Sequence, residues 1–154
     1  MKNVADMINM LEGYNIKSTA ELKPVANVVL AERAVMSRTI DTMVNKINDI
    51  SERIELVRKF QQTKPFYDEY KTLPKRKQQK FYDDNEPVIN QFHEVGKALR
   101  SLYPDGKFPS VATLSKQRDD LETERRELHK QYTQLKQKSA DLDRASQTIE
   151  DYLE

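Results

Sequence analysis

The sequence contains no cysteine, only three glycines and only two histidines among its 154 residues. The lack of cysteine excludes disulfides, thiolate nucleophiles and thiolate metal ligands. No glycine-rich phosphate loop and no Gly-x-Ser-x-Gly nucleophile motif is present. No stretch approaches 18 consecutive apolar residues, and no basic-then-apolar signal segment opens the chain. We therefore expect a cytoplasmic protein that does not enter a membrane.

The charges nearly cancel, with 26 basic and 25 acidic residues. This balance excludes strong binding of polyanions by the chain as a whole, although a local basic patch can still bind them. One third of the residues are charged and the mean hydropathy is −0.84. Glu, Lys, Leu, Gln and Arg recur at helical spacing, which favours long helices over a compact mixed fold.

The last third of the chain carries an apolar residue at every seventh position: Leu114, Leu121, Leu128, Leu135, Leu142 and Ile149. Such a repeat predicts a coiled coil. The intervening seam positions are mostly polar: Arg118, Arg125, Tyr132, Ser139, Ser146 and Leu153. A parallel dimer needs both sets apolar, so the ridge indicates packing against a richer helix of the same chain. Self-association, or docking to another protein, is the alternative.

The richer helix lies upstream, where apolar residues alternate by four and three: Met36, Ile40, Met43, Ile47, Ile50, Ile54 and Val57. Its stripe from Leu22 to Val57 is as long as the stripe from Leu114 to Ile149, about 50 Å each. This match predicts an antiparallel pair with Val57 near Leu114 and Leu22 near Ile149. Within the seam we expect Arg118 and Arg125 to pair with acids such as Glu52 or Glu55.

A short helix is predicted before the long one, with one apolar face made of Val4, Met7, Ile8 and Leu11. Gly13 stands where a helix C-cap is expected. Ser18 and Glu21 form a capping box that predicts the start of the long helix. We expect the short helix to cover the open end of the pair beside Leu153.

The middle of the chain differs from both arms, since it holds five of the six prolines and eight of the twelve aromatic residues. Pro65 and Pro74 punctuate it, and Asn85-Glu86-Pro87 predicts a helix start. Pro104-Asp105-Gly106 predicts a turn, and Ser110 an N-cap. We expect a small helical knob with a core of Phe66, Tyr70, Phe81, Phe92 and Val95.

These patterns together predict an all-α fold, an elongated antiparallel coiled-coil hairpin with a small helical knob at its tip. The expected boundaries are 1–17 for the short N-terminal helix, 18–64 for the first arm, 65–109 for the knob and 110–154 for the second arm.

A family resemblance rests on spaced apolar and aromatic positions of the knob and final helix. They are Tyr67-x-x-Tyr70-Lys71, Lys80-Phe81, Ile89-x-x-Phe92 with Ala98-Leu99, Phe108-Pro109-Ser110, Leu114, Leu121, Leu128 and Tyr132. The sequence resembles the helical C-terminal region of the relaxase/mobilisation nucleases of Gram-positive conjugative and mobilisable elements. The resemblance covers nearly the whole chain.

In that family the DNA-nicking site lies in a separate N-terminal domain, with a tyrosine nucleophile and a histidine cluster that holds a divalent metal. Neither is recognisable here. His93 and His129 lie on different predicted helices without paired ligand spacing. Tyr67, Tyr70 and Tyr82 are then expected to be packing residues. We predict no catalysis, no metal site and no cofactor.

A basic run interleaved with aromatic residues is the one sharp local feature. From Lys64 to Lys80, six basic residues stand against two acidic ones. Cations neutralise phosphates and aromatic rings stack on unpaired bases, which favours single-stranded nucleic acid as a ligand. The plainer interpretation is a solvated helix face. The expected nucleic-acid-binding residues are Lys71, Lys75, Arg76, Lys77, Lys80 and Tyr82.

The functional hypothesis is a non-catalytic accessory region of a relaxase-like DNA mobilisation protein, in conjugative plasmid or transposon mobilisation. Its expected partners are single-stranded or nicked DNA and other transfer proteins, with no membrane, and the chain is expected to be a monomer or a homodimer. The alternative is a coiled-coil protein-interaction or oligomerisation module that binds no nucleic acid.

Overall fold

The structure, a computed structural model, describes residues 4–153, without the side chains of Tyr152 and Leu153. Over this range it consists of four α-helices and no strand: α1 Val4–Gly13, α2 Thr19–Thr72, α3 Lys75–Leu102 and α4 Val111–Leu153. The predicted all-α class is confirmed. The expected contact beside Leu153 lies outside the described residues.

The chain divides into two units, each with its own core. Unit 1 comprises the described parts of Met1–Val44 and Thr123–Glu154. Its core joins α1, the first part of α2 and the last part of α4 through Leu11, Ile16, Leu22, Val29, Leu142 and Ala145. Ile149 packs, partly buried, against the same cluster as Leu22, as predicted.

Unit 2, Asn45–Glu122, joins the later part of α2, α3 and the first part of α4. Its core is Ile54, Val57, Val95, Leu99 and Leu114. Val57 and Leu114 therefore share one cluster, as the antiparallel register predicts. Within each unit, α2 and α4 pack against each other in opposite directions.

The leucine ridge of α4 is buried unevenly. Leu114 and Leu142 are buried, whereas Leu121, Leu128 and Leu135 are half-buried. Its polar seam position Ser139 is also buried. A further seam residue, Arg118, lies 3.8 Å from the carboxylate of its neighbour Asp119. Among the described residues Arg118 thus pairs locally, and the predicted pairing with Glu52 or Glu55 is wrong for this residue.

The end of α1 is a Schellman motif centred two residues beyond Gly13. Asn15 takes the left-handed conformation with φ 61°, and its N–H bonds the carbonyl of Glu12. The N–H of Ile16 bonds the carbonyl of Leu11, and both side chains are buried in the core of unit 1. Asn tolerates this conformation, and the Leu11–Ile16 contact accompanies the motif. The predicted C-cap at Gly13 is therefore wrong.

The predicted apolar face of α1 is also only partly buried. Leu11 is buried and Met7 packs against the core, but Val4 and Ile8 are exposed. At the start of α2, the Glu21 carboxylate accepts a bond from the Lys17 N–H at 3.0 Å. This bond from the Glu21 side chain back to the residues before α2 is typical of a capping box. Its donor, however, is the N–H of Lys17 and not that of Ser18.

Helix α2 continues through Pro65 to Thr72. A proline removes the bond to the carbonyl four residues earlier. Pro65 and Gln61 are both exposed, so water can bond that carbonyl. Thr63, which is buried, stabilises the preceding turn of α2, because its hydroxyl donates a hydrogen bond to the carbonyl of Lys59 at 2.7 Å. The expected boundary between residues 64 and 65 is thus not a helix end.

Helix α3 is kinked at Asn85, whose backbone is not helical (φ −127°, ψ 20°). The kink places Pro87 in the first turn of the second segment, in agreement with the predicted helix start.

A turn follows α3, with Gly106 at φ 76°. Ser110 caps α4, because its hydroxyl accepts from the Thr113 N–H at 3.1 Å. The predicted turn after α3 and the predicted N-cap at Ser110 are both confirmed.

The aromatic residues of the middle segment do not form a separate knob core. Phe66 is exposed, and Tyr70, Phe81 and Phe92 are only half-buried. Phe92 stacks on Phe60 of α2, with 5.1 Å between ring centres. The predicted core is wrong apart from Val95, because residues of the long helices fill the interior of unit 2.

Candidate nucleic-acid interface

The start of α3 is fixed by a two-residue connection, Leu73-Pro74, after α2. Pro74 has the extended backbone (φ −59°, ψ 146°) that suits the residue before a helix. Its carbonyl accepts the N–H groups of Lys77 and Gln78 at 2.8 and 3.2 Å. The Gln78 side chain also donates to the carbonyl of Tyr70 at the end of α2. These bonds hold the first turn of α3 in place.

The first three turns of α3 carry a groove, here called the basic groove, lined by Leu73, Arg76, Lys77, Lys80, Phe81 and Asp84. Its volume is about 370 Å³. Arg76, Lys80 and Asp84 are spaced by four residues, as are Lys77 and Phe81, so these α3 residues share one helix face. Three cations, one aromatic ring and one carboxylate therefore meet at a single surface.

The cations of the basic groove are available to a ligand. Arg76, Lys77 and Lys80 are exposed, and within the described residues none forms an ion pair. Arg76 and Lys77 lie in the first turn, where the positive end of the helix dipole opposes cations. A bound anion would relieve this repulsion.

The structure brings together three of the six residues predicted for this site. Lys75 is exposed but does not line the basic groove. The ammonium of Lys71 lies 5.3 Å from the ring centre of Tyr67. Tyr82 donates to Asn90 at 3.0 Å, and its ring centre lies 6.1 Å from that of Tyr70.

Sequence reasoning missed the other groove residues. The aromatic ring of the basic groove is Phe81 rather than Tyr82, and Leu73 supplies apolar surface beside it. Asp84 also lies in the groove. The helical spacing from Lys77 to Phe81 and from Lys80 to Asp84 was the available signal. Lys64, counted in the basic run, is paired with Asp68 at 3.3 Å.

The histidines pack beside aromatic rings. His93 meets Tyr67 edge to face at 5.0 Å between ring centres. His129 lies 6.4 Å from Tyr132. No group of three or more His, Cys, Asp or Glu residues that could hold a metal occurs in the described part of the chain. No helix there is apolar over a length sufficient to cross a membrane.

Comparisons with protein-family models, curated proteins and solved structures find no match to this chain.

Proposed function

We propose that this chain binds the phosphate backbone of nucleic acid through the basic groove, without catalysing a reaction on it. The observation that carries this proposal is the convergence of Arg76, Lys77 and Lys80, exposed and without an ion pair, beside Phe81. The net charge of +1 provides no general attraction for polyanions. Binding would therefore depend on this local surface.

The resemblance supports a narrower form of the proposal. The chain would be a helical accessory region in DNA mobilisation, and it would hold single-stranded or nicked DNA while another domain performs the cleavage. Phe81 adds a ring on which an unpaired base can stack, and such stacking contributes about 1–3 kcal/mol per base. An intact duplex keeps its bases paired and offers mainly phosphates. We therefore expect single strands to bind more tightly than duplexes.

The test is a fluorescence anisotropy titration with a labelled single strand over a range of salt concentrations. Each phosphate neutralised on a single strand contributes a slope of about −0.7 in log affinity against log salt. Three contacts predict a slope of about −2. A triple variant with Gln at Arg76, Lys77 and Lys80 should lose most of the binding, and its affinity should depend less on salt.

The matched control replaces Lys23, Lys46 and Lys130 by Gln. All three are exposed and lie outside the basic groove, so the total charge changes equally. This control should retain binding. Equal binding by the two triple variants, or no binding by the wild type at low salt, would refute the proposal. Nicked and intact duplexes of the same sequence complete the comparison.

Self-association is the second candidate function, favoured by an apolar surface on α2 in unit 1. Val28 and Val35 are 56% and 54% exposed, and they line one groove together with Leu128 and Leu135. Leu30 is 55% exposed nearby. A helix that is apolar on several sides is normally covered. A second copy of the chain would cover this surface.

Light scattering over a concentration series tests self-association. A dimer that dissociates when Val28 and Val35 are both replaced by Lys would support it. The matched control pair is Val4 and Ile8 on α1, which are 53% and 47% exposed. A monomeric wild type at about 100 µM, well above typical affinities, would exclude this candidate.

A further inference from the structure

Asp84 is out of place in a groove that binds only phosphates. Its carboxylate lines the same groove as Arg76, Lys77 and Lys80 and would repel an approaching phosphate. It stands four residues after Lys80, the spacing of a helical ion pair, yet no ion pair joins them among the described residues. Asp84 is exposed, so its oxygens can accept hydrogen bonds from a ligand.

The rest of the basic groove suits a flat apolar ring. Leu73 and the half-buried Phe81 supply apolar surface in the same groove as the cations and Asp84. The groove volume of about 370 Å³ lies within the range of sites that hold small molecules. For an unpaired base stacked on Phe81, the groove offers cations to the sugar–phosphate and one carboxylate to the base edge.

Among the four DNA bases, guanine fits a carboxylate best. Guanine presents two adjacent donors, N1–H and the exocyclic amine, which match the two oxygens of a carboxylate. Adenine and cytosine place an acceptor beside their amine, and thymine has one donor between two carbonyls. We infer that the basic groove takes an unpaired guanine, with Asp84 as the acceptor that distinguishes it from other bases. This inference rests on the proposed function.

The experiment compares two oligothymidylates, one with a single central guanine and one with hypoxanthine at that position. Hypoxanthine lacks only the exocyclic amine. The wild type should bind the guanine strand about tenfold more tightly, the value of one good contact to a base edge. Asp84→Asn should remove this preference. Asp83→Asn, which makes the same charge change at a neighbouring residue outside the groove, should keep it.

Electrostatics alone predicts a different pattern, since either variant would then bind both strands slightly more tightly. Equal affinity of the wild type for the two strands, or the same behaviour of both Asn variants, overturns the inference while backbone binding stands. If the wild type binds neither strand at low salt, the proposed function fails and base reading fails with it.

Discussion

The hydroxyl of Tyr14 donates a hydrogen bond to Oδ2 of Asp141 at 2.5 Å, and this bond joins the end of α1 to α4. Gln137 donates to the other carboxylate oxygen at 3.0 Å. The ammonium of Lys138 lies 5.3 Å from the Tyr14 ring centre. Burial raises the pKa of Tyr14 to about 12, and the hydrogen bond and negative charge of Asp141 contribute in the same direction.

This bond predicts a loss of stability in alkali. The pKa of Tyr14 is about 12 in the folded protein and about 10 in the unfolded chain. The contribution of Tyr14 is therefore complete below pH 10 and is lost as the pH rises through 12. Urea unfolding at pH 9 to 12 should show a steeper decline for the wild type than for Tyr14→Phe. Parallel curves would contradict this.

Tyr132 provides an internal comparison of opposite sign. Its pKa is lowered, mainly by its hydrogen bond with Arg33. A depressed folded pKa contributes stability above the unfolded pKa, near 10. Tyr132→Phe should therefore make the alkaline decline steeper, whereas Tyr14→Phe makes it shallower. The same urea series measures both variants.

Asn15 should respond to substitution as a left-handed residue. With φ 61° it sits where glycine is favoured and alanine is strained. Asn15→Ala should lower the free energy of unfolding by about 1 kcal/mol, and Asn15→Gly should leave it unchanged or raise it. Asn9→Ala, inside α1, should instead stabilise by up to about 0.7 kcal/mol. Urea denaturation gives all three values, and a stabilising Asn15→Ala would count against the motif.

As the N-cap of α4, Ser110 should contribute about 1 kcal/mol to the free energy of unfolding. Its hydroxyl accepts from the Thr113 N–H, and alanine would leave that group without this partner. Ser110→Ala should lower the melting temperature, and Ser110→Asp should preserve it. Ser101, an exposed residue inside α3, supplies a control in which the alanine change is neutral or slightly stabilising. Thermal unfolding followed by circular dichroism detects the difference.

The heptad leucines should be energetically unequal. Leu142 is fully buried, so Leu142→Ala should cost about 2–5 kcal/mol through lost burial and a residual cavity. Leu121→Ala, at a half-buried position of the same repeat, should cost about half as much. Urea unfolding of the two variants tests this ordering, which equal losses would disprove.

The seven-residue repeat was sufficient to predict the antiparallel pairing, because apolar spacing fixes which helix face is buried. It identified both Leu114 with Val57 and Leu22 with Ile149 as neighbours. It could not predict uneven burial along the ridge, since burial depends on which other helices pack nearby. Leu142 is covered by α1 and Leu114 by α3. The apolar spacing within α4 does not show which of its residues these two helices will cover.

Local signals were less reliable where the tertiary structure could override them. Ser110 capped its helix as predicted because the bond lies within four residues. Gly13 did not end α1 in the left-handed conformation, because the contact of Ile16 with Leu11 placed that conformation at Asn15. Of the candidate site, composition located the basic run. The choice of Phe81 over Tyr82 depended on the helix face, which the run alone does not define.

The two units differ in the length of the loop that their contacts close. Tyr14 and Asp141, joined in unit 1, are 127 residues apart, whereas Arg53 and Tyr103, joined in unit 2, are 50 apart. Closing the longer loop in an unfolded chain costs about 0.8 kcal/mol more entropy. Pulsed hydrogen exchange during refolding should therefore find amides of unit 2 protected first. Folding would begin in the middle of the sequence and spread outward, so the bond between Tyr14 and Asp141 would form last.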